Sequence, residues 1–351
     1  MKILFLINHL ADGGAERVAA TLLNHLCENH DVGLILFSDK KASYSIDHRI
    51  TTQKILVSSN NKFVKAIRRI SQIRELIKET PSDLIISFMT YTNIYVLIAN
   101  IFNRNKIIVS ERITSSRKRT ICIRILKKLI YPTADKIVFV TKADCEISRF
   151  HKKSIVIYNP LTFPIYTNYD NREKNIITIA PTNRWYQKGI DLLIKSWALI
   201  SAKHPDWNLG ILGGVDNRSI LNIIGSVKQE RIEWLGWKDN VAEILRTKSI
   251  FILASRYEGC PNSLIEAMSQ GCACIGTNCE GGIKEIITDG VDGIIAQSEN
   301  VNDIAAKIEL LIDNENLRLR LSANAIENVK RFDKNIFFSK WDNLIEEITR
   351  K

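Results

Sequence analysis

Two series of short apolar runs, each run followed by a helical pattern, constrain this chain more than any other feature. The first series occupies residues 2–7, 31–37, 84–88, 106–110, 136–140 and 154–158; the second occupies 175–180, 208–212, 231–235, 249–254, 272–276 and 293–296. These runs are apolar throughout rather than alternately, as strands covered on both faces are. Strands that alternate with helices form parallel sheets, so two series predict an α/β protein of two Rossmann-like, doubly wound domains. At 351 residues the chain is too long for one ordinary core and ample for two. The break falls in a Pro- and Asn-rich stretch without helical period, which gives domains 1–160 and 175–335 joined by a linker, 161–174. A last helix, 336–351, is expected to pack back on the first domain. In open parallel sheets ligands sit beyond the carboxyl ends of the strands, and a cleft between two such domains is the expected pocket.

The uncharged stretch 84–103 has the length a bilayer demands. Ser87, Thr90, Thr92, Asn93 and Asn100 interrupt it, so a buried strand, a turn and a buried helix fit it better than a membrane span. The apolar run begins directly after Met1-Lys2, without the spacer and cleavage site of a signal peptide. Seven cysteines form no metal-spaced set and no disulfide framework, which suits a reducing compartment; Cys272, Cys274 and Cys279 read as small buried residues or, less readily, ligands.

The segment Ser255-Arg256-Tyr257-Glu258-Gly259-Cys260-Pro261-Asn262-Ser263-Leu264-Ile265-Glu266 follows a strand and opens a helix. Gly259 and Pro261 set a tight turn, and Asn262 or Ser263 is placed to cap the helix. A helix N-terminus offers free N–H groups and a positive dipole end to a diphosphate. Glu266, one turn in, is placed to accept hydrogen bonds from a ribose diol, and Glu258 to reach sugar hydroxyls. After the first strand, Gly13-Gly14 lets backbone N–H groups approach an anion in the same way, or simply forms a tight turn. It is not a Gly-x-Gly-x-x-Gly fingerprint. His9 lies in the same turn, either touching ligand or holding the turn.

Glu258 and Glu266, with the Gly-x-Pro-Asn-x-Leu between them and Ala-Met after them, resemble the signature of family 4 retaining glycosyltransferases of GT-B fold, in which two Rossmann-like domains face a central cleft. The resemblance runs over nearly the whole chain. Gly13-Gly14-Ala15-Glu16-Arg17 resembles the family's N-terminal glycine loop, and Lys188-Gly189-Ile190-Asp191-Leu192-Leu193 its Lys-Gly-x-Asp-x-Leu segment. Trp234-Leu235-Gly236-Trp237 resembles a strand end whose neighbourhood contacts the nucleotide base. Two further matches follow at 281–287 and 289–293. Ile86-Ser87-Phe88 and Val109-Ser110-Glu111-Arg112 are similar to bacterial enzymes that extend undecaprenyl-diphosphate-linked glycans of O-antigen, capsule or glycoprotein.

The resemblance implies a UDP-sugar donor, a lipid-diphosphate-linked saccharide acceptor, and transfer of N-acetylgalactosamine, galactose or glucose. It implies catalytic roles for Arg184, Lys188 and Glu258. Donor contacts fall to Gly13, Gly14, Trp237, Gly259, Cys260, Pro261, Asn262, Ser263, Leu264 and Glu266. Two positions depart from the family pattern: the usual arginine five residues before the lysine is Asn183 here, with Arg184 beside it, and the histidine that often follows Ser-Glu is Arg112.

The leaving diphosphate needs preorganised positive charge. No Asp-x-Asp motif suggests manganese, so no metal and no cofactor is expected. The resemblance implies front-face substitution, in which the donor's own phosphate takes the acceptor proton, and this fits the lack of a clear Ser–His or His–Asp pair. A net charge of +11 favours anionic partners. Residues 62–74 and 117–130 are basic and amphipathic; Arg68, Arg69, Arg112, Arg117 and Lys118 are the candidate acceptor or membrane contacts. These stretches suit an anionic membrane surface, placing the protein on the cytoplasmic face of a bacterial plasma membrane, or else are solvated helix faces. No motif for nucleic acid accompanies the charge. A nucleotide-sugar epimerase of the same fold, or a non-catalytic transferase-like scaffold, are the competing readings.

Overall fold

The computed structural model describes residues 1–11, 13–103, 105–112, 120–148, 150–168, 172–181, 184–214, 225 and 230–350. They form two compact units: Met1–Pro160 with Asn335–Lys351, and Leu161–Lys334.

The first unit is built on seven parallel strands: β1 Lys2–Ile7, β2 Asp31–Leu36, β3 Thr51–Lys54, β4 Leu84–Phe88, β5 Ile107–Ser110, β6 Lys136–Phe139 and β7 Ser154–Val156. Their order is β3-β2-β1-β4-β5-β6-β7, so the chain reverses direction across the sheet between β1 and β4. The runs read from sequence match six of these strands. The missed one is β3, whose four residues Thr-Thr-Gln-Lys are all exposed on the sheet's edge. An edge strand needs no apolar run, so hydrophobic patterning carries no signal for it.

Helices cover both faces. One face carries α1, Gly14–Asn29; the other carries α2 Lys62–Glu79, α3 Thr90–Asn100 and α4 Ile121–Ile130. A short α5, Lys142–Ile147, follows β6. The uncharged stretch 84–103 is indeed β4 followed by α3, and among the described residues no helix is long and apolar enough to cross a membrane.

The second unit holds six parallel strands: β8 Glu173–Ile179, β9 Asn208–Leu212, β10 Ile232–Gly236, β11 Lys248–Leu253, β12 Ala273–Thr277 and β13 Ile294–Ala296. Their order is β10-β9-β8-β11-β12-β13, and the reversal falls between β8 and β11. Its described helices are α6 Ile190–Ile200, α7 Val241–Thr247, α8 Asn262–Ser269, α9 Ile283–Ile286, α10 Val301–Asp313 and α11 Glu315–Val329. Asn300 and Asn314 cap α10 and α11 with side-chain oxygens.

Residues 161–168, read as linker, are tied to the second unit. Leu161 donates its N–H to Phe332 O, Tyr166 to Ser269 O, and Gln270 Nε2 donates to Pro164 O. The last helix, α12 Lys334–Thr349, belongs to the first unit. Phe337, Trp341, Leu344, Ile345 and Ile348 bury their side chains in the core around β1, β4 and α1. Each such burial contributes about 1.5–3 kcal/mol, which explains why the chain returns. His25 of α1 sits 2.9 Å from Asp342 and stacks on Phe338.

Candidate active site

The strand reversal in the second unit sends the loops after β8 and β11 to opposite sides, leaving the crevice where doubly wound sheets bind ligands. Lys188 ends the first loop and Glu258 lies in the second. Their side chains meet: Lys188 Nζ is 2.8 Å from Glu258 Oε1, and Ser255 Oγ donates to the same oxygen at 2.7 Å. Only 8% of Lys188 and 6% of Glu258 is exposed, so this is a buried charge pair rather than two surface residues.

Glycines make the approach possible. Gly189 takes φ +63°, and a Cβ there would collide with the carbonyl oxygen of Ala254 at the end of β11. Gly281 takes φ +119°, and a Cβ there would strike the carbonyl of Glu258. The loop after β12 can thus lie against the Glu258 segment. Glu258 donates its N–H to Glu280 O at 3.2 Å, and Gly282 donates to Gly259 O at 2.8 Å.

Helix α8 begins at Asn262, with Pro261 as its N-cap and no side-chain cap bond. This corrects the capping role expected of Asn262 or Ser263: proline holds the cap position, so both fall inside the first turn. Ser263 Oγ is buried there without a hydrogen-bond partner. A free hydroxyl in an uncapped first turn is an arrangement suited to an anion. Glu266 follows one turn later and is buried. Leu264 is wholly buried in the core, which leaves only its backbone for ligand. Gly259 and Cys260 are partly exposed.

The remaining expected donor residues are more scattered. Arg184 is exposed and shares a turn with Lys188, whose N–H it accepts at 2.8 Å. Asn183 lies outside the described residues. Trp237 follows β10 at the sheet edge with 60% exposure, a free aromatic face on the carboxyl side of the sheet. In the first unit, Gly13 and Gly14 open α1, but the Glu16 carboxylate folds back where a Cβ on Gly13 would sit, with His9 Nδ1 3.7 Å away. The N-terminus of α1 therefore carries its own carboxylate, which sequence spacing did not reveal.

Arg112 is buried, not a surface cation. Its guanidinium lies 4.2 Å from the Phe88 ring centre and donates to Asn159 Oδ1 at 2.8 Å. This removes it from the exposed membrane set, because the end of β5 points it into the sheet's carboxyl edge. Beside it, Glu111 accepts from Thr90 Oγ1 at 2.8 Å, from Tyr131 Oη, and pairs with Lys127 Nζ at 3.4 Å. Nothing in the local sequence marks that buried network, since its members are spread from 90 to 131.

The basic helices differ from each other. On α2, Ile73 and Ile77 are buried while Phe63 and Ile67 are exposed. Arg69 donates to Phe37 O and Arg68 to Ser58 O, so both serve the fold as well as the surface. On α4 no side chain is fully buried: Ile123, Leu126 and Ile130 face the core, while Ile121, Ile125 and Leu129 form an exposed stripe flanked by Arg124 and Lys128. Arg117 and Lys118 lie outside the described residues. Among the described residues no group of three His, Cys, Asp or Glu is placed to hold a metal.

Comparison with known proteins assigns the family. Residues 12–162 match the model described as Glycosyltransferase Family 4, and residues 167–328 match Glycosyl transferases group 1. The chain belongs to the family 4 glycosyltransferases. A Campylobacter jejuni enzyme, GalNAc-alpha-(1->4)-GalNAc-alpha-(1->3)-diNAcBac-PP-undecaprenol alpha-1,4-N-acetyl-D-galactosaminyltransferase, is 27% identical over 99% of this chain and 99% of its own. Among solved structures, the lipopolysaccharide outer core galactosyltransferase WaaB matches with a TM-score of 0.77 at 19% identity over 99% of both chains. Anabaena HepE in complex with UDP matches with a TM-score of 0.79 at 18% identity, over 99% of this chain and 100% of that one. The fold of this family 4 glycosyltransferase is accordingly GT-B, with one Rossmann-like sheet in each unit.

Proposed function

We propose that this family 4 glycosyltransferase moves a hexose or N-acetylhexosamine from a UDP-sugar to a lipid-diphosphate-linked saccharide, with retention of configuration and without a metal, in bacterial surface-glycan synthesis. The observation that carries the reading is the meeting, at the β8/β11 crevice, of Lys188, Glu258 and the uncapped first turn of α8 with its unpartnered Ser263 hydroxyl. The Campylobacter relative, whose name specifies an undecaprenyl-diphosphate-linked GalNAc acceptor, supports the substrate class.

In this reading the diphosphate lies against the α8 N-terminus and the Lys188 ammonium, and Arg184 reaches it from the same turn. Glu266 takes the ribose diol, and Trp237 offers a face to the base. The C1–O bond to the diphosphate breaks as the acceptor oxygen attacks C1 from the same side. The acceptor proton passes to a diphosphate oxygen, so no protein base is needed. Lys188 and the helix dipole stabilise the charge that develops on the leaving group. Lys188 carries that charge at the cost of sharing it with Glu258, whose other oxygen remains for sugar hydroxyls.

The first unit takes the acceptor, and α4 lays Ile121, Ile125 and Leu129 into a lipid surface while Arg124 and Lys128 meet anionic headgroups. The test is a panel of UDP-sugars incubated with a lipid-diphosphate-linked saccharide and the purified protein. Incorporation of one sugar with equimolar UDP release supports the proposal. Epimerisation of the donor without acceptor, or no turnover of any donor, refutes it.

A further inference from the structure

We infer that Arg256, through its clamp on Asp191 and Tyr186, is the positioning residue that sets Lys188 against Glu258; the inference rests on the role proposed above for Lys188. Arg256 stands two residues before Glu258, yet both terminal nitrogens of its guanidinium bond to the Lys188 segment or its helix. Nη1 and Nη2 reach the two oxygens of Asp191, each at 2.8 Å, in the planar fork geometry that only arginine offers. Nη1 also donates to Tyr186 O at 2.7 Å, and the guanidinium stacks 4.0 Å from the Tyr186 ring centre. The backbone N–H of Arg256 donates to Gln187 O at 2.8 Å, and Gln187 Nε2 returns a bond to Tyr257 O at 3.2 Å.

Residues 186, 187 and 191 bracket Lys188 on both sides. The lysine is thus held from before and after by the segment that also carries its carboxylate partner. The two loops come from different strands, and the Arg256 guanidinium joins the backbone bonds at Gln187 in tying one to the other. Gly189 makes the turn possible but cannot hold it. The side chain of Arg256 is 11% exposed and that of Asp191 7%, so the clamp is shielded from water. Its bond to Asp191, ahead of the opposing effect of burial, raises the Arg256 pKa, so the guanidinium keeps its charge. Glu299, 3.2 Å from Nε, is exposed and closes the outer side. Among the described residues no contact of Arg256 reaches the first turn of α8, which separates it from residues proposed to touch the donor.

The test compares Arg256→Gln, Asp191→Asn and the exchange Arg256→Asp with Asp191→Arg, using full-length protein at a temperature where all variants are folded. Displacing Lys188 by about an ångström lowers kcat by roughly 100-fold while leaving the donor KM within a few-fold. Arg256→Lys recovers little, because an ammonium cannot hold both Asp191 oxygens and Tyr186 O together. The exchange variant recovers part of kcat. In a double-mutant cycle with Lys188→Met, Arg256→Gln adds nothing further, since it acts through that lysine. Wild-type kcat in Arg256→Gln, or a loss that multiplies in full with that of Lys188→Met, overturns the inference. If Lys188→Met itself keeps wild-type kcat, the role proposed for Lys188 fails first, and the two failures are told apart by that one control.

Discussion

Removing the Lys188 ammonium should destabilise the second unit far more than removing the whole ion pair. Lys188 and Glu258 are 8% and 6% exposed and 2.8 Å apart, so each is the other's main compensation for burial. Lys188→Met leaves the Glu258 carboxylate with the Ser255 hydroxyl alone. Stranding one member of such a pair costs about 3–5 kcal/mol, whereas replacing both by apolar groups of similar size is often close to neutral. For a unit of this size each kcal/mol shifts the melting temperature by about 2–4 °C. Lys188→Met should therefore melt about 6–20 °C below wild type, and Lys188→Met with Glu258→Leu should recover most of that loss. Both variants should keep only a small, measurable fraction of wild-type activity, since neither presents the ammonium. Differential scanning calorimetry, run beside a transfer assay at low temperature, measures each effect. A single variant that melts within 2 °C of wild type, or a double variant no more stable than the single, refutes the argument that the pair is buried and mutually compensating.

Activity should survive EDTA, because the leaving group is met by Lys188 and a helix N-terminus; loss in EDTA with recovery on adding manganese contradicts this. Ile125→Ser with Leu129→Ser, or Arg124→Gln with Lys128→Gln, should release the protein from anionic vesicles in co-sedimentation while leaving UDP affinity unchanged; retention on vesicles leaves α4 a solvated helix. Cys122, exposed on α4, should be alkylated by iodoacetamide at pH 8 long before Cys272 and Cys279, whose thiols burial pushes up to about 11 and about 12. Peptide mass spectrometry reporting rapid modification of Cys279 contradicts that order.

What the sequence carried, and what it did not, divides by whether the signal is local. The strands of both sheets were legible because a doubly covered strand must be apolar throughout, and only the polar edge strand β3 escaped. The Glu258 segment was legible because a turn, a helix start and two acids lie within a dozen residues. The Lys188–Glu258 pair was not, since their meeting depends on which strands are neighbours, and the 69 positions between them carry no sign of it. Arg256 with Asp191, and Glu111 with Lys127, are hidden for the same reason. The cap of α8 was misread because Asn262 and Ser263 are better capping residues than Pro261, and the turn after Glu258 overrode that preference. Exposure of Phe63 and Ile67 on α2 was also beyond reach, because helical periodicity gives a face without saying how far along the helix the core extends.

Titration of UDP into the wild-type protein and into Glu266→Ala by calorimetry bears most directly on the donor site. A single UDP should bind the wild type. Loss of the carboxylate that receives the ribose diol should weaken binding by about 1.5–3 kcal/mol, roughly 10- to 100-fold, with the melting temperature of the unliganded variant measured alongside. No binding to the wild type, or wild-type affinity in a folded Glu266→Ala, would show that the crevice between β8 and β11 does not hold the nucleotide.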